Sequence, residues 1–158
     1  MYALKGGALR VDSVDASERA IGMTEKNLSL NGYDVVRNKC IAMDTFEFIK
    51  DKKDEYDLII LDPPAFAKHK DARHQAMKGY QRLNAEAFRI VKPNGIVFTF
   101  SCSQVVDRQL FQDTIVSSAI QAGREIQILH HLSQPADHPV SIFHPEGEYL
   151  KGLVLYVR

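Results

Sequence analysis

Cysteine is scarce in this chain. Its 158 residues hold two, Cys40 and Cys102, too few for a disulfide framework and suited to a reducing cytosol. An excess of charge of one sign is missing too: the formal net charge is +0. No global basic field advertises nucleic acid, although local patches can do that work. No apolar run approaches the roughly 20 residues of a membrane span. The start, Met1-Tyr2-Ala3-Leu4-Lys5-Gly6-Gly7-Ala8, has no basic segment followed by an apolar one, so no secretory signal is read there and a cytoplasmic location is expected. The six histidines show no metal-ligand spacing, so no metal is expected. Repeats, linkers and low-complexity segments are absent. What remains is ordinary: 45% hydrophobic and 25% charged residues, the balance of one domain, 1–158, with a real core.

Periodicity supplies an alternation of helices and strands. Residues 2–5 read as the end of a helix stopped by Gly6-Gly7, and residues 9–14 as a strand ending at Asp15. Ser17 is a good N-cap for a helix over 18–30, which Asn31-Gly32 ends. A second strand over 35–43 closes on Asp44, and a short helix follows over 45–52. A third strand, 56–61, reads as buried. Residues 69–79 are polar, a loop or a helix start. Residues 80–91 form a helix, Pro93-Asn94-Gly95 a turn, and 96–100 a fourth strand that also reads as buried. A helix over 105–121, strands over 125–132 and 150–157, and a long proline-bearing loop between those strands complete the chain. The pattern predicts an α/β fold with a mostly parallel, doubly wound sheet and a C-terminal antiparallel strand.

Chemistry-bearing residues follow the strands. Ligands of open parallel sheets bind in the crevice outside the carboxyl ends of the strands. Asp62-Pro63-Pro64-Ala65-Phe66 follows the third strand and Ser101-Cys102-Ser103 the fourth. A carboxylate, a rigid corner, an aromatic ring and a thiol thus share one rim, as in an enzyme that grips a flat polar ring and attacks it with sulfur. Asp15 and Asp44 end the first two strands. One suits ribose hydroxyls and the other an exocyclic amine, although either would also serve as a helix N-terminal charge. The glycine-rich turn that precedes such a ribose carboxylate by about 20 residues does not precede Asp15, and Gly6-Gly7 follows a helical end. The chain is therefore expected to begin inside the first helix of its fold, with the first strand and its glycine-rich loop upstream and cofactor binding weak. Two sheet edges would then be left, and self-association through them is expected. Lys68, His69, Lys70, Arg73, His74 and Lys78 form a basic stretch past the motif, either a solvated loop or a set of phosphate contacts. Cys40, inside an apolar strand, reads as core.

Four blocks carry a resemblance to a known family: Val11-Asp12-Ser13-Val14-Asp15-Ala16-Ser17; Leu61-Asp62-Pro63-Pro64-Ala65-Phe66-Ala67-Lys68; Phe100-Ser101-Cys102-Ser103; and His138-Pro139-Val140 through Glu146-Gly147-Glu148-Tyr149-Leu150-Lys151-Gly152-Leu153. The sequence resembles the bacterial 5-methylcytosine methyltransferases of large-subunit ribosomal RNA that carry an N-terminal PUA domain. The PUA domain, the linking hairpin and the glycine-rich loop have no counterpart here. The resemblance implies a Rossmann-like class I methyltransferase fold, S-adenosylmethionine as cofactor and ribosomal RNA as partner. It implies cofactor contacts from Asp15, Ala16, Ser17, Asp44, Thr45 and Asp62, and substrate contacts from Pro63, Pro64, Phe66 and Lys68. Cys102 matches the family's nucleophile, and Asp62 would hold the base edge. Two other readings remain open at this point: an N-methyltransferase acting on a purine through the Asp-Pro-Pro segment, and a non-catalytic remnant.

Overall fold

The structure, a computed structural model, describes residues 1–34, 37–66 and 73–158. These fall into two compact units, Met1–Lys50 and Asp51–Arg158.

The first unit holds α1 (Tyr2–Lys5), β1 (Val11–Asp15), α2 (Glu18–Leu30), β2 (Asn38–Ala42) and α3 (Thr45–Ile49). β1 and β2 run parallel, with Val11 opposite Asn38 and Asp15 opposite Ala42. α2 is the crossover between them, as a parallel pair requires. Its start is set by Ser17, whose hydroxyl accepts from the Ala20 amide at 3.3 Å. Ile21 and Leu28, two turns apart, are its buried residues. It stops at Asn31-Gly32, where Gly32 takes φ 69°. Val35 and Val36 of the expected second strand lie outside the described residues. Cys40 is half-buried rather than core, because two strands and one crossover helix cannot enclose it.

The second unit holds β3 (Tyr56–Leu61), α4 (Arg73–Ile90), β4 (Val91–Ser101), α5 (Arg108–Ala122), β5 (Ile126–Leu132) and β6 (Lys151–Val157). The sheet order is β3-β4-β6-β5. β3 and β4 are parallel, and β6 runs antiparallel to both β4 and β5. The last strand therefore fills the middle of this sheet. It is buried nearly throughout, as its run Gly-Leu-Val-Leu demands. Tyr80, Leu83, Ala87 and Phe88 of α4 meet Phe111 and Ile115 of α5 and the buried faces of β4 and β6 to form the core. In β4 burial alternates: Val97, Thr99 and Ser101 are buried, and the residues between them are half-buried.

The third strand does not have the burial its composition suggests. Leu58 and Ile60 are 47% and 60% exposed, and only Leu61 is buried. Among the described residues β3 is the edge of its sheet and pairs with β4 alone. Two further boundaries move. α4 begins by Arg73, ahead of Tyr80, and β4 absorbs the Pro93-Asn94-Gly95 turn as an irregularity, with Asn94 at φ 67°.

Gly152 marks the tightest approach of β6 to its neighbours. A Cβ there would lie 2.7 Å from the Phe100 ring and 3.0 Å from Leu132 Cβ. Gly152→Ala is expected to destabilise the unit by about 1–3 kcal/mol, the usual cost of overpacking. An unchanged urea midpoint would show that Phe100 yields freely.

Candidate active site

β3 and β4 run parallel with Leu61 opposite Thr99, so the segments that follow them leave the sheet at the same end. Asp62 is exposed there and Pro63 is half-buried. Neither Pro63 nor Pro64 has an amide hydrogen to offer the ladder, so the chain must turn away. The thiol of half-buried Cys102 donates toward the Pro63 carbonyl, 4.0 Å away. Asp-Pro-Pro and the Cys102 turn therefore come together, as the motifs suggest.

α4 ties the two segments to each other. Tyr80 is fully buried, and its hydroxyl accepts from the Ser101 hydroxyl at 3.0 Å. It also takes a hydrogen bond from the Phe66 backbone amide. The Phe66 ring stands edge-on to Tyr80, with centroids 4.7 Å apart, and Tyr80 in turn stands edge-on to Phe111 at 5.7 Å. Burial pushes the Tyr80 phenol up. The Ser101 bond pulls it down, the Cys102 thiol raises it, the Phe66 bond lowers it and the Asp62 carboxylate raises it again. Tyr80 thus senses both segments. Phe66 packs against α4, where a Cβ on Gly79 would meet its ring at 3.3 Å, and keeps 36% of its surface exposed. Ser101 continues the network, its oxygen accepting from the Ser103 amide at 3.4 Å.

Lys151 closes the turn from the far side. The residue is 7% exposed, and its ammonium donates to the Ser103 carbonyl at 2.5 Å and the Tyr149 carbonyl at 2.6 Å. Burial pushes the ammonium down from the usual lysine range. The Cys102 thiol raises it, Arg108 lowers it and Asp107 raises it. The loop over residues 133–150 folds back onto the segment after Cys102. Gln104 donates to the Glu146 carbonyl at 3.4 Å, and Arg108 pairs with Glu148 at 2.8 Å.

In the first unit, Asp15 and Asp44 leave adjacent parallel strands at the same end. The Met43 amide donates to the Asp15 carbonyl at 3.0 Å. Asp15 Oδ1 accepts from the Ser17 amide at 2.7 Å. Asp44 Oδ1 caps α3 by accepting from Phe46 and Glu47 at 2.9 and 3.1 Å. The helix-terminal role is thus real for Asp44, yet only Oδ1 of each carboxylate is engaged among the described residues. Ala16 and Ser17 are exposed, and Thr45 is half-buried at the start of α3. Burial pushes the Cys40 thiol up, and the Glu25 carboxylate adds to the rise.

Arg73, His74 and Lys78 are exposed on the first turns of α4. Lys68, His69 and Lys70 lie outside the described residues. Among the described residues no three His, Cys, Asp or Glu gather as a metal site, and no helix is long and apolar enough to cross a membrane. Sequence reasoning missed Tyr80 and Lys151. A tyrosine on the inward face of a helix and a lysine opening an otherwise apolar strand were the available signals, since each needs a polar partner once buried.

Residues 1–128 match the family model described as "Methyltransferase small domain". Ribosomal RNA large subunit methyltransferase I of Aeromonas salmonicida is 43% identical over 161 residues, covering 100% of this chain and 41% of the relative. The protein of the same name from Tolumonas auensis is 42% identical over 98% of the chain and 40% of the relative, and that of Vibrio cholerae 38% over 99% and 41%. The chain thus spans about two fifths of the length of these curated relatives. Among solved structures, SMU.776 complexed with SAH superposes with TM-score 0.82 at 24% identity, over 98% of this chain and 40% of that one. TYW2 of P. horikoshii in complex with MeSAdo superposes with TM-score 0.67 at 17% identity, over 98% and 50%. Those likenesses are of fold: α/β and Rossmann-like, with a mixed sheet. By its sequence match, this chain belongs to the methyltransferase small domain family.

Proposed function

We propose that this chain carries catalytic machinery that methylates carbon 5 of a cytosine in large-subunit ribosomal RNA, with S-adenosylmethionine as donor and Cys102 as nucleophile. The observation that carries the reading is the meeting of the Cys102 thiol with the Pro63 carbonyl of the Asp-Pro-Pro corner at 4.0 Å. The names of the relatives support ribosomal RNA as substrate.

The donor set fits the cofactor. Asp15 and Asp44, exposed at adjacent strand ends with one oxygen each engaged, suit ribose hydroxyls and an exocyclic amine. Ala16, Ser17 and Thr45 flank them in the same unit. Asp15→Ala removes charge-assisted hydrogen bonds worth about 1.5–3 kcal/mol, so S-adenosylhomocysteine should bind about 10- to 100-fold more weakly by isothermal titration. Asp44→Asn is the cleaner partner experiment, because asparagine caps a helix as well as aspartate. Unchanged affinity in both variants would remove these carboxylates from the cofactor site.

Carbon 5 of cytosine is a poor nucleophile, and a covalent detour divides the hard step. The Cys102 thiolate adds at carbon 6. The S–C6 bond forms as the C5=C6 pair shifts toward carbon 5. Asp62 holds the base edge, accepting from the exocyclic amine when ionised and donating to ring nitrogen 3 when protonated. S-adenosylmethionine, when bound, supplies an electrophilic sulfonium methyl group. Once carbon 5 is methylated, its proton leaves to a base, the electron pair returns to C5=C6, and the Cys102 sulfur departs. The exposed part of Phe66 offers a stacking surface worth about 1–3 kcal/mol per base. Pro63 and Pro64 hold that corner rigid, and Arg73, His74 and Lys78, exposed on the first turns of α4, supply phosphate contacts.

The test is a trap. RNA carrying 5-fluorocytosine has no carbon-5 proton to lose, so the adduct persists after methylation. A denaturation-resistant protein–RNA complex attached through Cys102 is expected. Methylation of a nitrogen without such a complex would replace this reading with that of an N-methyltransferase.

A further inference from the structure

Lys151 is a buried ammonium whose described partners are two backbone carbonyls rather than a carboxylate. Lysine is almost never fully buried unless paired, and the desolvation of its charge is costly. A methionine would fill the same space with no such cost. The residue opens β6 directly opposite Ser101, the last residue of β4, so its backbone is fixed one residue from the thiol. One of its two acceptors, the Ser103 carbonyl, lies on the other side of Cys102. The cysteine is thus held between a strand pairing at Ser101 and an ammonium contact at Ser103.

We propose that Lys151 is a positioning residue for Cys102: it clamps the Ser101-Cys102-Ser103 turn through the Ser103 carbonyl and keeps a positive charge on the turn that carries the thiol. A nearby cation favours the thiolate, the form that attacks carbon. Among the described residues, the other charged or titratable groups around the turn are Tyr80 of α4, Asp62 after β3, Asp107 and Arg108 at the start of α5, and Glu148 and Tyr149 of the long loop. Arg108 is also cationic, but it is already paired with Glu148 at 2.8 Å. Lys151 is the buried cation of the set. Its bearing on catalysis rests on the reading of Cys102 as nucleophile, whereas the clamp itself does not.

The experiment uses the chain with Cys40→Ser, so that Cys102 is the remaining thiol, and follows its alkylation by iodoacetamide across pH. Lys151→Met and Lys151→Gln are expected to slow alkylation near neutral pH by about tenfold, because the turn loses its clamp and the thiolate a favourable charge. Lys151→Arg, which keeps the charge, is expected to stay near the parent profile. Folded Met and Gln variants that keep the parent's profile would overturn the proposal. Should those variants fail to fold, the coupling is read from the other partner. The Lys151 side-chain carbon resonance is followed over pH with Cys102 present and with Cys102→Ala. Loss of the thiol is expected to lower the lysine's titration, and coincident curves would sink the idea. An intact coupling supports the clamp even where no 5-fluorocytosine adduct forms, and that failure would strike the nucleophile reading alone.

Discussion

Replacing Cys102 with alanine is expected to cut methyl transfer by roughly three orders of magnitude or more, and to abolish the 5-fluorocytosine adduct. Losses of that size attend removal of a covalent nucleophile, because the remaining residues act as a unit that no longer has a step to assist. The assay belongs in a protein of the relatives' length that contains these residues. Cys40→Ala is the control, expected to retain both methyl transfer and adduct. Burial and Glu25 push the Cys40 thiol up, and it sits in β2, away from the strand ends in its own unit. A mutant Cys102→Ala that still formed adduct, or a Cys40→Ala that lost it, would show that the wrong sulfur had been chosen. Retention of methyl transfer by Cys102→Ala with no adduct in the parent would dismiss covalent catalysis altogether.

Much of the fold was legible where local chemistry marks a boundary. Ser17 and Asn31-Gly32 bracket α2 at the residues the sequence indicates, because a side-chain cap and a left-handed glycine act within one turn. Gly123 ends α5 in the same way, at φ 67°. Asp107 starts α5 three residues later than the apolar pattern suggests, its carboxylate taking the Leu110 amide at 2.8 Å. The early turns of α4 were hidden by polar residues, although Ala76 and Tyr80, spaced by four, carry its buried face. Burial of β3 was the larger error. An apolar run of four, residues 58–61, records that a strand forms, but not how many neighbours it has, and β3 has one in its sheet. The central place of β6 was equally silent, since pairing between residues 95–101 and 151–157 is a long-range choice.

The site divides along the same line. Asp62, Pro63 and Cys102 announced themselves by chemical type and by position after strands, and the contact between Cys102 and Pro63 joins them. Tyr80 and Lys151 did not. Each looks like an ordinary member of its helix or strand, and what they do depends on partners in distant segments: Ser101 and Phe66 for one, Ser103 and Tyr149 for the other. Sequence reading finds the groups that react more readily than the groups that hold them.

Tyr80 is where removing such support should be felt most in stability. Tyr80→Ala deletes a fully buried ring that meets Phe66 and Phe111 edge-on, and a loss of about 3–5 kcal/mol is expected for truncating a core aromatic. Tyr80→Phe separates packing from hydrogen bonding. The ring remains, but the buried Ser101 hydroxyl loses its acceptor and so does the Phe66 amide. A stranded buried donor costs about 1–3 kcal/mol, so the phenylalanine variant should lie between parent and alanine in a urea titration with unchanged slope. The hydroxyl also links the segment after β3 to the segment after β4. Alkylation of Cys102 in Tyr80→Phe should therefore change in rate even where the protein stays fully folded, because the Ser101 hydroxyl that also accepts from the Ser103 amide is free to turn. Parent-like stability together with parent-like Cys102 reactivity in Tyr80→Phe would mean that the two segments hold their positions without α4. The strand ends alone would then account for the site.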